Sequence, residues 1–166
     1  TPIKSSAASD VYKRQKEIHA LFADGNVTKL MTIEASGIAI ACYAARHFHA
    51  PVLFAKKAKT SNISSDCYTA EVKSYTHGNI NSVFVEKEYL KAGDRVLIID
   101  DFLANGCALL GLIDIVKHAG AKIAGAGIVI EKAFQPGGEL IRSEGVRVES
   151  LARIKSMSDD GKIEFC

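Results

Sequence analysis

The chain has 166 residues, 48% of them hydrophobic and 24% charged, with a formal net charge of +2. That is enough chain for one core, and too little net charge to argue for nucleic acid or an anionic membrane surface as a partner. No apolar run approaches the roughly 20 residues of a membrane span, and the N-terminus lacks the order of a signal peptide, so a cytoplasmic protein is expected.

Residues 1–15 (TPIKSSAASDVYKRQ) are polar and aperiodic, and read as a disordered or foreign tail; the domain is expected over 16–166. Ile18, Leu21 and Phe22 suggest a short helix stopped by Gly25. Residues 29–34 (KLMTIE) read as a strand, and Ser36 stands where the next helix wants its N-cap. In that helix Ile38, Ala41, Cys42 and Ala45 recur at helical spacing and predict its apolar face. Residues 51–56 (PVLFAK) form another strand, and the polar stretch 57–66 a loop. Residues 68–75 and 82–85 predict a hairpin around a Gly78-Asn79 turn.

A strand over 95–100 ends on Asp100, and Leu109, Leu112, Ile113 and Val116 mark a helix that Gly120 terminates. Residues 122–130 read as a buried strand, Pro136 as a helix start and Gly145 as its stop. Strands over 147–154 and 162–165 close the chain. Strands alternating with helices imply an α/β fold around a mostly parallel sheet, with the 57–91 stretch as an insertion. In such folds ligands gather at the carboxyl ends of the strands, where Glu34, Asp100, Asp101, Glu131 and Lys132 all fall.

The four cysteines and five histidines show no metal-ligand spacing, so no protein-held metal site is expected. The stretch 96–108, VLIIDDFLANGCA, carries the chemistry. A helix opening near Gly106 presents unpaired backbone N–H groups, and Ala104, Asn105, Gly106, Cys107 and Ala108 have little bulk to keep an anion such as phosphate away. Two carboxylates before such a cradle suit hydroxyl donors or a metal-bound group, and a sugar phosphate meets both demands. The plain alternative is that the acids only solvate a strand end. A nucleotide P-loop is a poor competitor, because Leu112-Ile113 stands where Lys-Ser/Thr is required; Gly125-Ala-Gly127 lacks the third glycine of a dinucleotide fingerprint.

VLIIDDFLANGCA resembles the signature of the type I phosphoribosyltransferases. With IEASGIA (33–39), FAKK (54–57), EKAFQPG (131–137) and RVESLARI (147–154), the chain is similar to the bacterial xanthine-using, purine-salvage branch of that family. The resemblance covers most of 16–166 and implies the family fold, with an incomplete N-terminal hood and a short C-terminus. It implies that Asp100 and Asp101 hold the ribose hydroxyls, and that 104–108 cradle the 5′-phosphate of phosphoribosyl pyrophosphate. Glu34, Ala35, Ser36 and Gly37 match the loop that contacts pyrophosphate, and Lys56 and Lys57 open the segment that closes over the reaction. Lys132 reads a purine oxygen and N7, and Phe134 packs on the purine.

Each residue also has a plainer reading: Ser36 as a helix cap, Lys56, Lys57 and Lys59 as an exposed charge run, Phe134 as a core aromatic. Ala104 stands where hypoxanthine-guanine enzymes place an acid, which resembles the adenine and xanthine types. The reaction implied is transfer of phosphoribose to xanthine, with Mg²⁺ carried mainly on the substrate's pyrophosphate, in a homodimer that engages neither nucleic acid nor membrane. The alternatives are adenine or hypoxanthine/guanine as the base, or a non-catalytic sensor of phosphoribosyl pyrophosphate on the same fold; a sensor of that kind carries an added DNA-binding domain, and no basic recognition helix is visible.

Overall fold

The computed structural model describes residues 16–57, 66–73, 80–158 and 160–166. The tail 1–15, the centre of the expected closing loop and the Gly78-Asn79 turn lie outside the described residues. Among the described residues, helix α1 spans 16–22, followed by a 3-10 turn at Ala23–Gly25. Strands β1 (Lys29–Ile33) and β2 (Val52–Ala55) flank helix α2 (Ser36–Phe48). Strands β3 (Cys67–Lys73) and β4 (Ile80–Glu86) form the hairpin. Then come β5 (Arg95–Leu103), α3 (Cys107–His118), β6 (Lys122–Lys132), α4 (Gly137–Ser143), β7 (Val148–Met157) and β8 (Ile163–Phe165).

The main sheet has the order β2-β1-β5-β6-β7-β8, parallel throughout except for β8. Its central strands β1, β5 and β6 are apolar on both faces because both faces are covered there. On β5, Val96 and Ile98 join the core with Leu109, Leu112, Ile113 and Val116 of α3, while Leu97 and Ile99 join the core with Ile18, Phe22, Ala41 and Ala44 of α1 and α2. That is the period-2 alternation of a strand sandwiched between helical layers. Burying each such side chain contributes about 1.5–3 kcal/mol relative to exposure.

The hairpin is separate from the main sheet and packs Ala70, Val72, Val83 and Val85 into the α3-side core. A backbone bridge ties it to the end of β2: Lys56 N–H to Phe84 O at 3.0 Å, and Phe84 N–H to Lys56 O at 2.9 Å. Gly111 makes the α3 contact possible, since a β-carbon there would stand 2.5 Å from Val72 Cγ2.

Two sequence readings need correction. The buried residues of α2 are Gly37, Ala41 and Ala44, and Cys42 is exposed. The smallest residues, spaced i, i+4 and i+7, let the helix lie close on the sheet and turn the larger Ile38 partly outward. Strand β5 also runs to Leu103 rather than stopping at Asp100, because Phe102 and Leu103 still pair with Ile130 and Glu131 of β6. The small-residue loop is therefore confined to 104–106.

Candidate functional site

The carboxyl ends of β1, β5 and β6 bring the predicted residues together. Glu34 leaves β1 with its N–H on Ala55 O (3.1 Å), and the Glu34–Ala35 peptide is cis. Its side chain accepts from the Lys57 backbone N–H, which joins the two expected pyrophosphate and closing-loop segments. Ser36 makes no capping hydrogen bond, and the N-cap position belongs to Ala35. Instead the Ser36 hydroxyl donates to Asp101 Oδ1 at 3.0 Å, across 65 residues of sequence. The cap reading of Ser36 is thus set aside in favour of a contact within the site. Gly37 packs where a β-carbon would stand 2.0 Å from Thr32 Oγ1, so the start of α2 lies directly on the Thr32 side chain of β1.

Asp100 is 7% exposed, while Asp101 is half-buried. Burial pushes the Asp100 carboxyl up to about 7, and the adjacent Asp101 carboxylate pushes it the same way. The Asp101 N–H, which donates to Asp100 Oδ1 at 3.0 Å, and the charge of Lys57 pull against them. Two carboxylates this close in a poorly solvated place do not both ionise readily. The pair is an acceptor site that gains from hydroxyl donors or positive charge.

Beyond the acids, Asp100, Phe102, Leu103 and residues 104–109 line a hollow of about 170 Å³. Gly106 takes φ +82°, the left-handed region that favours glycine, and starts α3 directly behind the loop. Ala104, Asn105, Gly106, Cys107 and Ala108 thus line one hollow with the N-terminus of α3 at its back.

Lys132 ends β6 with its Nζ 5.8 Å from the centre of the Phe102 ring. Phe134 is 49% exposed, which removes the core-aromatic reading, and Phe102 is 47% exposed. Phe102 escaped the sequence reading because the paired acids before it look like the end of the strand; the missed signal was an aromatic immediately after them. Lys56 is anchored by the hairpin bridge and lines a different groove, of about 300 Å³, with Val52, Leu53, Phe54, Phe84, Val85, Glu86 and Tyr89. Neither acid lines that groove. The Lys56 side chain is therefore placed apart from the paired acids.

Glu131, read only as a strand-end acid, is 1% exposed and fully engaged. It accepts from Arg142 Nη1 (2.9 Å) and Nη2 (3.0 Å) and from Ser150 Oγ (2.6 Å), with Arg153 Nε at 3.2 Å. Burial works against its ionised form, but the Arg142 and Ser150 hydrogen bonds and the charges of Arg142 and Arg153 win, holding the carboxyl down to about 2. Among the described residues no group of three or more His, Cys, Asp or Glu side chains is arranged to hold a metal ion.

The comparisons with known proteins follow the same lines. A family model described as a phosphoribosyl transferase domain matches residues 7–148. The xanthine phosphoribosyltransferase of Lachnoclostridium phytofermentans is 54% identical over 151 residues, covering 90% of this chain and 78% of that protein. The xanthine phosphoribosyltransferase of Bifidobacterium longum is 55% identical over 148 residues, covering 88% and 77%. Among solved structures, APRTase from Giardia lamblia complexed with 9-deazaadenine superimposes with a TM-score of 0.81 at 25% identity, covering 89% of this chain and 81% of that one. An adenine phosphoribosyl transferase from Trypanosoma brucei, in complex with AMP, pyrophosphate and ribose-5-phosphate, shares the fold with a TM-score of 0.73 at 19% identity, covering 89% and 67%. Paired acids on a sheet end, a phosphate-sized hollow behind them and these matches have one common explanation: the chain belongs to the phosphoribosyltransferase family.

Proposed function

We propose that the protein transfers the phosphoribosyl group of phosphoribosyl pyrophosphate to N9 of xanthine, forming xanthosine 5′-monophosphate and pyrophosphate in purine salvage. The observation that carries this reading is the coupled acid pair, Asp100 and Asp101, tied by Ser36 to one binding loop and followed directly by the 104–106 turn. The choice of base rests on Lys132 beside Phe102 and on the xanthine phosphoribosyltransferases that are more than half identical to the chain.

In this reading Asp100 and Asp101 accept the ribose hydroxyls. The 104–108 backbone takes the 5′-phosphate, and Glu34, Ala35, Ser36, Gly37 and Lys57 face the pyrophosphate. As the glycosidic bond lengthens, C1′ takes on oxocarbenium-like charge, and a carboxylate pair held near the ribose favours that charge. Holding both reactants is itself a large part of the rate, since a fixed near-attack geometry replaces a bimolecular encounter. Lys132 donates to a purine oxygen and to N7, because its ammonium has three donors and no acceptor. Phe134 and Phe102 supply apolar faces for the ring.

The donor set fits Mg²⁺ that arrives on the substrate. The described residues offer adjacent carboxylates but no three-ligand cluster, and Mg²⁺ commonly keeps waters and substrate phosphates as most of its shell. Bound with the substrate, such an ion would supply charge neutralisation for the pyrophosphate, beside the acceptor pair Asp100 and Asp101.

The domain is proposed to run from 16 to 166 and the protein to work in the cytoplasm; no helix among the described residues is long and apolar enough to cross a membrane. It is also proposed to act as a homodimer, for which the exposed Phe54 and Tyr89, lining the groove beside β2, offer apolar surface. Incubation with phosphoribosyl pyrophosphate, Mg²⁺ and each purine in turn tests the reading. Xanthosine monophosphate from xanthine is the expected product. Faster turnover of guanine, hypoxanthine or adenine would overturn the base assignment, and no nucleotide from any base would overturn the activity.

A further inference from the structure

Helix α4 begins where two halves of the site meet. The Gly137 N–H donates to Ala104 O at 3.0 Å, in the phosphate loop. A β-carbon on Gly137 would stand 2.3 Å from that oxygen and 2.6 Å from Gly106 N, so backbone meets backbone with no room for a side chain. One residue later, a β-carbon on Gly138 would stand 2.2 Å from Glu131 Oε1. The same helix supplies Arg142, whose two terminal nitrogens grip the Glu131 carboxylate, while Ser150 and Arg153 grip it from β7. Glu131 is the residue immediately before Lys132.

Phosphate loop and purine turn thus hang from different strands, β5 and β6, and α4 touches both. Strand pairing sets where β5 and β6 end, but not how the turns beyond them sit. The 133–135 turn adds hydrogen bonds from Ala133 N–H to Ile154 O (2.8 Å) and from Gln135 N–H to Lys132 O (2.9 Å). Neither of these bonds reaches the phosphate loop, whereas the Gly137 contact does.

We propose that Glu131 is a positioning residue for the purine acceptor, and that Glu131, Gly137 and Gly138 form a brace fixing the Lys132 turn against the phosphate loop. The inference rests on the function proposed above and names residues for which that function has no direct use. Its physical basis is the narrow distance a transfer step tolerates, with reacting atoms about 3–3.5 Å apart and misplacement by about 1 Å costing on the order of a hundredfold. A buried four-point carboxylate network is stiff, because loosening it leaves an unpaired buried charge.

Glu131→Gln and Gly137→Ala separate the two arms. Glu131→Gln is expected to raise the KM for xanthine about tenfold or more, by misplacing Lys132. Binding of phosphoribosyl pyrophosphate without purine should stay within about twofold, because the Gly137 contact with the phosphate loop is kept. Gly137→Ala is expected to weaken both. Lower stability is common to both readings, but a purely structural role predicts only fewer active molecules, seen as reduced apparent kcat with both constants unchanged; that result would overturn the proposal.

If Glu131→Gln does not fold, Arg142→Lys keeps the charge but loses the fork, and the same selective rise in xanthine KM is expected. Amide hydrogen exchange provides an arm that needs no activity. In Glu131→Gln the amides of 132–135 should exchange faster while those of 104–107 do not, and Gly137→Ala should speed both sets. Should wild-type protein make no nucleotide, the substrate assignment fails, and the exchange pattern still decides the brace: unchanged exchange in both segments would overturn it.

Discussion

Replacing Asp100 by asparagine separates what the acid does for the substrate from what it costs the fold. The carboxyl is raised from its ordinary 3.8 to about 7, first by burial and then by Asp101. In the unfolded chain the same group ionises near 3.8, so between pH 4 and 7 the folded state holds a proton that the unfolded state has lost. Stability therefore falls as pH rises through that window and is flat on either side. A difference of about 3 in pKa corresponds to about 4 kcal/mol at pH 8, an upper figure because Asp101 and solvent relax around the charge. Asparagine keeps an oxygen for the Asp101 N–H and carries no charge. Urea unfolding at pH 5 and pH 8 should show the variant's stability relative to wild type rising by about 2–3 kcal/mol between the two, since wild type loses that much more of its stability as pH passes from 5 through 7. Activity should move the opposite way, with use of phosphoribosyl pyrophosphate strongly impaired, because one acceptor for the ribose is weakened. Parallel pH profiles for the two proteins would refute the assignment of the raised carboxyl to Asp100. Undiminished kinetics would return the acid to a solvated strand end.

Other expected outcomes are more local. Lys132→Ala should raise the KM for xanthine about 10- to 100-fold, the worth of a hydrogen bond from a charged donor, with the KM for phosphoribosyl pyrophosphate unchanged in steady-state assays. Thr32 is fully buried and its hydroxyl has no partner among the described residues, so Thr32→Val should leave stability unchanged or raise it by about 1 kcal/mol in thermal unfolding. Glu131, lowered from 4.5 to about 2, contributes stability that is complete above pH 4.5 and lost as pH falls through 2, about 3 kcal/mol in all. Acid titrations of wild type and Glu131→Gln, followed by circular dichroism, should therefore converge toward pH 2 and separate above pH 4.

Much of the architecture was legible from local pattern. The apolar runs around Leu97 and Ile128 read as buried strands, the spacing of Leu109, Leu112, Ile113 and Val116 read as a helix, and Gly120 and Gly145 read as stops; each has its place in the structure. The α2 face was misread, since spacing ranks residues by hydrophobicity, whereas close packing on a sheet also selects for small size, as Gly37, Ala41 and Ala44 do. The end of β5 was misread because the paired acids look like a terminus, while the ladder to β6 continues through them.

The sequence by itself determined that an α/β chain ends a buried strand on two acids and follows them with a loop of small residues, because strand period, helix period and side-chain bulk are local properties of the chain. Only the tertiary structure decided that Ser36 bonds Asp101, that Phe102 stands beside Lys132, that Glu131 is buried among Arg142, Ser150 and Arg153, and that Gly137 meets Ala104. These contacts join residues distant in sequence, and their existence depends on strand order and on how closely two backbones approach. The raised carboxyl of Asp100 belongs with them, since burial and a neighbour's charge are features of the folded surroundings.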